Sequence, residues 1–80
     1  MYFVYILLCA DGSFYTGSTN DVEKRFKNHL NGKGARYTQS HKPIKIIYKE
    51  KFSTKSKALK REVEIKKLTK KKKEDLVRMI

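Results

Sequence analysis

Residues 2–19 decide the fold, and they read YFVYILLCADGSFYTGST. Tyr2–Cys9 is a continuous run of aromatic, branched and aliphatic side chains, which predicts a strand buried on both faces. Ser13–Thr19 is a second short run, rich in Tyr, Phe and Thr. Because Asp11-Gly12 between them is a tight-turn signal, the two runs predict a β-hairpin.

The length of the hairpin loop decides which side chains share a face of the sheet. A two-residue loop would put Tyr5 and Tyr15 on opposite faces. A three-residue loop over residues 10–12 pairs Leu7 with Tyr15 and sets Gly17 opposite Tyr5. The two tyrosines are then diagonal neighbours above a glycine. The sequence permits both loops, and we favour the longer one, with its glycine in the left-handed conformation.

The segment after the hairpin carries the signals of an amphipathic helix. Asn20 suits the N-cap, and Glu23 suits the third position, from which it can reach back to the cap. Val22, Phe26 and Leu30 form an apolar stripe on one helix face. The helix is expected to end at the Asn-Gly pair that follows this stripe.

A polar, basic connector follows the helix and leads to a third strand. The connector covers residues 32–42 and has room for one helical turn. Ile44–Phe52 carries enough β-branched and aromatic residues to predict a strand. Strict alternation places Ile44, Ile46 and Tyr48 on one face of this strand.

Two further helices are predicted after the third strand. The first spans Lys55–Leu68 with Ser53 or Thr54 as its cap, and the second spans Lys70–Met79 with Thr69 as its cap. The second helix makes its apolar contacts through Leu76, Val77 and Ile80.

The predicted element order is ββαβαα, which indicates an α+β fold: a three-stranded, mainly antiparallel sheet flanked by helices. With 80 residues the chain has room for one domain, so we expect a single domain over residues 1–80 and exclude large cofactors. The longest apolar run, Phe3–Ala10, is too short to span a bilayer, and Cys9 alone cannot form an internal disulfide. We therefore expect a cytoplasmic protein with no membrane association. We also expect a monomer with no small-molecule cofactor.

The chain is strongly basic, with 20 Lys and Arg against 8 Asp and Glu and a formal net charge of +12. Residues 41–80 carry fifteen basic and five acidic side chains, so most of the surplus lies in the second half. Such an excess attracts polyanions, and nucleic acid is the favoured partner over an anionic membrane. The alternative is a lysine-rich surface that serves solubility alone. Charge supplies affinity for phosphate but no chemistry.

Glu62 is the most unusual residue of the chain. At 100° per residue it lies about 40° from Ala58, inside the apolar face of the Lys55–Leu68 helix. A carboxylate on a core-facing side is costly unless it is paired or binds a metal. Two readings stay open: an ion pair or wet groove, and a metal ligand.

Arg25 and His29 form a second notable pair, because residues four apart lie on the same side of a helix. They flank the apolar stripe, from where they can reach over the sheet towards a ligand. The alternative is an exposed basic pair in a basic protein.

The motifs together resemble those of the GIY-YIG nuclease superfamily. Val4-Tyr5-Ile6 and Tyr15-Thr16-Gly17 are similar to the paired motifs that name the family, although Phe3 stands at the glycine of the first and Thr16 at the isoleucine of the second. The helix bearing Arg25 and His29, the segment GKGARYT at residues 32–38 and the Ala58-Leu59…Glu62 pattern follow in the family's order. The closest resemblance is to the small bacterial UPF0213 group.

The resemblance implies a metal-dependent nuclease that cleaves phosphodiester bonds of DNA or RNA. Glu62 would hold Mg²⁺ or Mn²⁺, and Arg25 would bind the phosphate. Tyr15, ranked ahead of Tyr5, would position or deprotonate the attacking water, and His29 would orient the water or assist the proton transfer. The Asn that many members carry after the catalytic glutamate has no counterpart beyond Glu62.

Two basic segments are candidates for contacts with the nucleic-acid backbone. The first is the connector, through Lys33, Arg36, Tyr37 and Lys42, with the Tyr37 ring available to stack on a base. The second is Lys70–Lys73 at the start of the last helix, whose alternative role is a solvated surface.

Three functions follow from these patterns. The first is a DNA endonuclease of repair, recombination or nucleic-acid turnover, selective for nucleic-acid structure or weakly sequence-specific. The second is a nucleic-acid-binding module that keeps the fold with little or no turnover. The third is a small basic protein that acts through a protein partner.

Overall fold

A computed structural model describes residues 1–78, so the predicted contributions of Met79 and Ile80 to the last helix lie outside the described residues. The elements, in chain order, are β1 Tyr2–Cys9, β2 Phe14–Thr19, α1 Val22–Leu30, α2 Arg36–Ser40, β3 Pro43–Phe52, α3 Lys55–Lys66 and α4 Lys70–Arg78. The predicted α+β fold is confirmed, and α2 is the helical turn for which the connector had room.

β1 is the central strand of the sheet, with β2 and β3 antiparallel on either side of it. Tyr5 pairs with Gly17, and Leu7 pairs with Tyr15, which is the register of the three-residue loop. Gly12 adopts φ +84° and its N–H donates to the Cys9 carbonyl, so the glycine supplies the left-handed position that closes the loop. The favoured hairpin register is confirmed.

The prediction that Ile44, Ile46 and Tyr48 share one face of β3 is wrong. Ile6 pairs with Tyr48, but the next residue of β1 pairs with Ile46, so Ile47 is an extra residue between two ladder positions. A bulge of this kind reverses the alternation beyond it. Tyr48 and Ile46 therefore pack on opposite faces of the sheet, and Ile44 is 54% exposed.

The continuous apolar run of β1 is buried because helices cover the sheet on both faces. On one face Val4, Ile6 and Tyr48 pack with Ala58 and Ile65 of α3. On the other face, which we call the α1 face, the core consists of Tyr5, Leu7 and Val22, with Tyr15, Phe26 and Ile46 partly buried around it. The functional candidates of the hairpin thus lie on the α1 face.

Each of the helices α1, α3 and α4 begins at a capping side chain, and one of the predicted caps is wrong. The cap of α1 is Asp21, whose side chain accepts a hydrogen bond from the N–H of Lys24, and not Asn20 as predicted. Both residue types cap well, and the helix begins one residue later than the prediction placed it. The alternative caps of α3 are resolved in favour of Thr54, and Thr69 accepts a hydrogen bond at the start of α4 as predicted.

The buried face of α3 is narrower than the sequence pattern indicates. Ala58 and Ile65 are fully buried, whereas Leu59 and Val63 are exposed. The helix ends at Lys66 and does not extend to residue 68 as predicted. Within residues 1–78, no helix combines the length and the apolar character that crossing a membrane requires.

Candidate active site

Tyr5 and Tyr15 lie side by side on the α1 face, with ring centroids 6.3 Å apart. Tyr5 points across β2 and covers Gly17, where a Cβ atom would stand 2.6 Å from the Tyr5 Oη. Only glycine permits so close an approach. The tyrosine geometry that the hairpin register predicts is therefore present, and Gly17 makes the space for it.

His29 of α1 contacts this pair, and each of its ring nitrogens has a hydrogen-bond partner. Its Nε2 lies 2.9 Å from the Tyr5 hydroxyl, and its Nδ1 lies 2.7 Å from the Oγ1 of Thr38. The residue is 1% exposed, so the alternative of an exposed Arg25–His29 pair does not hold for the histidine. Burial, reinforced by the positive charge of Arg25, lowers the pKa of His29, which keeps the imidazole neutral at neutral pH.

Arg25 lies one turn before His29, and its positive charge acts on the same tyrosine. Burial, and to a lesser extent the neighbouring Tyr15, raises the pKa of Tyr5 to about 12, while Arg25 opposes this rise. Tyr5 therefore keeps its proton at neutral pH. Arg25 itself is only partly buried, so its guanidinium can meet a ligand at the surface.

A row of aromatic rings extends from the tyrosines into the connector. Tyr15 lies 5.1 Å from the His29 ring and 6.0 Å from Tyr37, and Tyr37 stacks on His41 with centroids 4.0 Å apart and planes 4° from parallel. The Tyr37 face against His41 is thus closed to a nucleobase. Base stacking by Tyr37, as predicted for that ring, is restricted by this neighbour.

Glu62 approaches the outer strand β2 from the opposite side of the sheet. Ser18 donates a hydrogen bond of 2.7 Å to its Oε1, and the Lys66 ammonium lies 2.6 Å from its Oε2. Ser18 follows directly on Gly17, beneath Tyr5, and the negative charge of Glu62 contributes to the raised pKa of Tyr5. The carboxylate thus reaches the strand that carries the tyrosine pair, and the ion-pair reading of Glu62 describes its contacts in this structure.

The surroundings of Glu62 fit a metal that needs few protein ligands. No group of three or more His, Cys, Asp or Glu side chains that could hold an ion exists within residues 1–78. Each Glu62 oxygen has one protein partner and keeps a free lone pair. Mg²⁺ retains several waters and takes oxygens from substrate phosphates, so one carboxylate is an adequate protein ligand for it.

The cationic candidates of the connector are exposed around α2. Lys33, Arg36 and Lys42 all present their side chains to solvent. In the second basic segment, Lys70 donates to the Gly12 carbonyl and lies over the Phe14 ring, so it fastens α4 to the hairpin. Lys71 and Lys72 are exposed.

Two residues that contact His29 were missed by the sequence reasoning. Thr38 bonds to the ring, and a Cβ on Gly34 would stand 2.1 Å from His29 Nδ1. Both belong to the GKGARYT segment, which contributed to the family resemblance. That segment was the available signal, but no periodicity or cap in the sequence predicts how it docks on α1.

A family model described as the GIY-YIG catalytic domain matches residues 1–75. The chain belongs to the GIY-YIG family. A UPF0213 protein of Staphylococcus saprophyticus is 50% identical over 76 residues, which cover 95% of this chain and 93% of that protein. A UPF0213 protein of Staphylococcus aureus strain MW2 is 49% identical over 77 residues, with 96% and 94% coverage. The predicted UPF0213 membership is confirmed.

Two solution NMR structures resemble this GIY-YIG chain over nearly its whole length. The UPF0213 protein of Bacillus halodurans is 46% identical with a TM-score of 0.63, and the match covers 99% of this chain and 85% of the other. A protein of E. faecalis is 44% identical with a TM-score of 0.65, with 98% and 83% coverage. Family membership implies a nuclease domain that acts on nucleic acid, of a kind that generally uses divalent metal ions.

Proposed function

We propose that this GIY-YIG chain is an endonuclease that depends on Mg²⁺ or Mn²⁺ and hydrolyses phosphodiester bonds of DNA. It acts as a monomer and selects nucleic-acid structure over sequence, in repair, recombination or nucleic-acid turnover. The observation that carries the proposal is the arrangement of Tyr5, Tyr15, Arg25 and His29 on one face of the sheet, at the strand that Glu62 reaches.

Tyr15 is the tyrosine that meets the attacking water. Its side chain is partly exposed, whereas Tyr5 is 1% exposed and its hydroxyl is occupied by His29. The pKa of about 12 also makes Tyr5 a poor source of a phenolate at neutral pH. Tyr5 and His29 lie behind Tyr15 and hold the neighbouring groups in position.

Arg25 binds the phosphate under attack. A guanidinium is planar, permanently charged and rich in donors, which suits the extra negative charge of a pentacovalent phosphate. Its place on helix α1, partly buried and one turn before the buried His29, limits the reorganisation that is needed during the reaction. Exposed Lys33, Arg36 and Lys42 add contacts to flanking phosphates.

Glu62 is the residue that would hold the divalent ion. When bound there, the ion stabilises the negative charge that develops on the leaving 3′-oxygen and on the phosphate. Lys66 would compete with the ion for Glu62, but because the Lys66 ammonium is half exposed, its ion pair is weak and easily exchanged. Ser18 keeps Oε1 fixed against β2.

A cleavage panel tests this function. Purified protein is incubated with duplex, nicked, flapped and four-way-junction DNA, each with Mg²⁺, with Mn²⁺ and with a chelator. We expect cleavage of at least one structured substrate that the chelator abolishes. Cleavage that persists in the chelator would contradict the metal dependence.

The Lys66–Glu62 ion pair favours a second function, a binding module without turnover. If Lys66 keeps the carboxylate occupied, the chain binds DNA through its basic surface and does not cut it. This function predicts salt-sensitive binding in the absence of metal and no cleavage across the whole panel.

A further inference from the structure

Thr38 lies in α2, in the connector, and has no place in the predicted catalytic set. We propose that the Thr38 hydroxyl is a positioning group, which sets the direction of a buried hydrogen-bond chain through His29 to Tyr5. The inference deepens the proposed function, because it assigns the orientation of the Tyr5 hydroxyl, beside Tyr15 in the candidate site, to a residue that does not touch substrate.

The direction of the hydrogen bonds in this chain follows from Thr38, at its inner end. The Ala35 carbonyl can only accept and lies 2.9 Å from the Thr38 hydroxyl, so we assign the single hydroxyl proton to this bond. The Thr38 oxygen is then an acceptor, and His29 Nδ1, at 2.7 Å, must carry a hydrogen to meet it. A neutral imidazole has one N–H, so Nε2 is the acceptor in this pair and Tyr5 donates its proton to it at 2.9 Å.

The outer end of the chain depends on this tautomer. Because the Tyr5 proton points to His29, the lone pairs of the Tyr5 oxygen stay open to donors in the site, where the charge of Arg25 acts on Tyr5. In the opposite tautomer His29 Nε2–H would occupy a lone pair of the Tyr5 oxygen, and the Tyr5 proton would lose its acceptor on the ring. The Tyr5 hydroxyl would then no longer be held in one direction.

The packing around His29 indicates that the imidazole has little freedom to change partners. The backbone at Gly34 passes so close that a Cβ would stand 2.1 Å from Nδ1. The titratable or charged groups that face the ring are Tyr5 from β1, Tyr15 from β2 and Arg25 from α1. Tyr5 already meets Nε2 and Arg25 can only donate, while Thr38 is the hydrogen-bond partner of Nδ1.

Two substitutions of Thr38 distinguish the effect of the hydroxyl from the effect of the side-chain shape. Thr38→Val keeps the shape but removes the acceptor, whereas Thr38→Ser keeps the acceptor. A misplacement of about 1 Å in a catalytic site can cost roughly 10²-fold in rate, and we expect a loss of up to this size in kcat for Thr38→Val. KM for the DNA should change little, since the exposed cations bind the flanking phosphates.

The matched control is Thr16→Val, the same change at another buried threonine. Thr16 Oγ1 is buried without a hydrogen-bond partner within the described residues, and Thr16 pairs with Ile6, away from the α1 face. This variant should keep both the tautomer and the cleavage rate of the wild-type chain.

The direct measurement is the tautomer of His29, by long-range ¹H–¹⁵N NMR on the metal-free and DNA-free protein. The chain has two histidines, so a His41→Gln sample assigns the signals. We expect a protonated Nδ1 and an unprotonated Nε2 in the wild type, in Thr38→Ser and in Thr16→Val, and loss of this pattern in Thr38→Val. A protonated Nε2 in the wild type overturns the proposal without any variant being made.

Cleavage assays on the same proteins complete the test. Recovery of kcat in Thr38→Ser supports the role of the hydroxyl, while a Thr38→Ser variant as slow as Thr38→Val contradicts it. If the wild type cuts none of the substrates, the proposed nuclease function fails. The NMR result then still supports or overturns the hydrogen-bond chain by itself.

Discussion

Gly17 lies directly under the Tyr5 hydroxyl, so closely that a Cβ at Gly17 would stand 2.6 Å from Tyr5 Oη and 2.8 Å from Cζ. The hairpin register creates this relationship, because it pairs the two residues across β1 and β2. The glycine thus lets Tyr5 cross the outer strand and meet His29 on the α1 face.

Gly17→Ala should disturb both stability and the site. An added methyl must displace the Tyr5 ring, and overpacking of this kind costs about 1–3 kcal/mol of unfolding free energy. Chemical denaturation measures the loss, and the Tyr5–His29 contact should weaken with it. In Gly12→Ala the new Cβ would lie 4.0 Å from the Lys70 Nζ, so only the left-handed φ of +84° is strained. That control should lose stability and keep its cleavage rate.

Gly34→Ala should abolish activity, while Gly32→Ala should not. A Cβ on Gly34 would overlap the His29 ring, whereas a Cβ on Gly32 meets no atom within 4 Å. Gly32 has φ +74°, so alanine there costs about 1 kcal/mol through backbone strain alone. Gly34→Ala should therefore have a lower cleavage rate and a lower melting temperature than Gly32→Ala. If the two variants lose activity and stability equally, the contact of Gly34 with His29 is unimportant.

Tyr15→Phe should lower the cleavage rate by about 10²- to 10⁴-fold, the range for loss of a general acid or base. The substitution removes only the hydroxyl that we propose to meet the attacking water. Because the ring remains, the fold and the DNA affinity should be unchanged. Single-turnover kinetics measure the rate. Tyr2→Phe is the matched control, because Tyr2 packs against the core on the opposite face of the sheet. A Tyr15→Phe rate equal to that of Tyr2→Phe would remove Tyr15 from the mechanism.

The stability of the fold should fall in acid because of His29. Its pKa is lowered in the folded chain, so the unfolded chain binds the proton first as the pH drops. The stabilisation is complete above the ordinary histidine value of about 6.5 and is lost as the pH falls through the lower folded value. Unfolding free energies across this range measure the slope. His41→Gln should preserve the slope, and a wild-type stability that stays flat over the range would contradict the burial of a neutral His29.

Much of the fold could be predicted because its signals are local. The Asp11-Gly12 turn indicates the hairpin, and the continuous apolar run of β1 indicates a strand covered on both faces. The position of Asp21 as the cap differed from the prediction by one residue, since neighbouring Asn and Asp residues are equally good caps.

The errors and omissions concern contacts that no local pattern encodes. The bulge at Ile47 reverses the alternation of β3, and it arises from pairing with β1 and not from a signal within β3. The bond from His29 to Thr38 joins residues nine positions apart through the docking of the connector. The pairing of Glu62 with Ser18 spans 44 positions, so helical periodicity could place the carboxylate on the inner face but could not name its partner.

The most direct test of the account compares Glu62→Gln with Glu64→Gln in Mg²⁺-dependent cleavage of the structured DNA substrates. The two glutamates lie on the same helix, but Glu64 is exposed and pairs with Arg61, while Glu62 is 15% exposed and meets β2. We expect Glu62→Gln to fall to the rate seen with chelator and still to bind DNA, while Glu64→Gln cuts like the wild type. Wild-type cleavage by Glu62→Gln would contradict the role of Glu62 as the metal ligand.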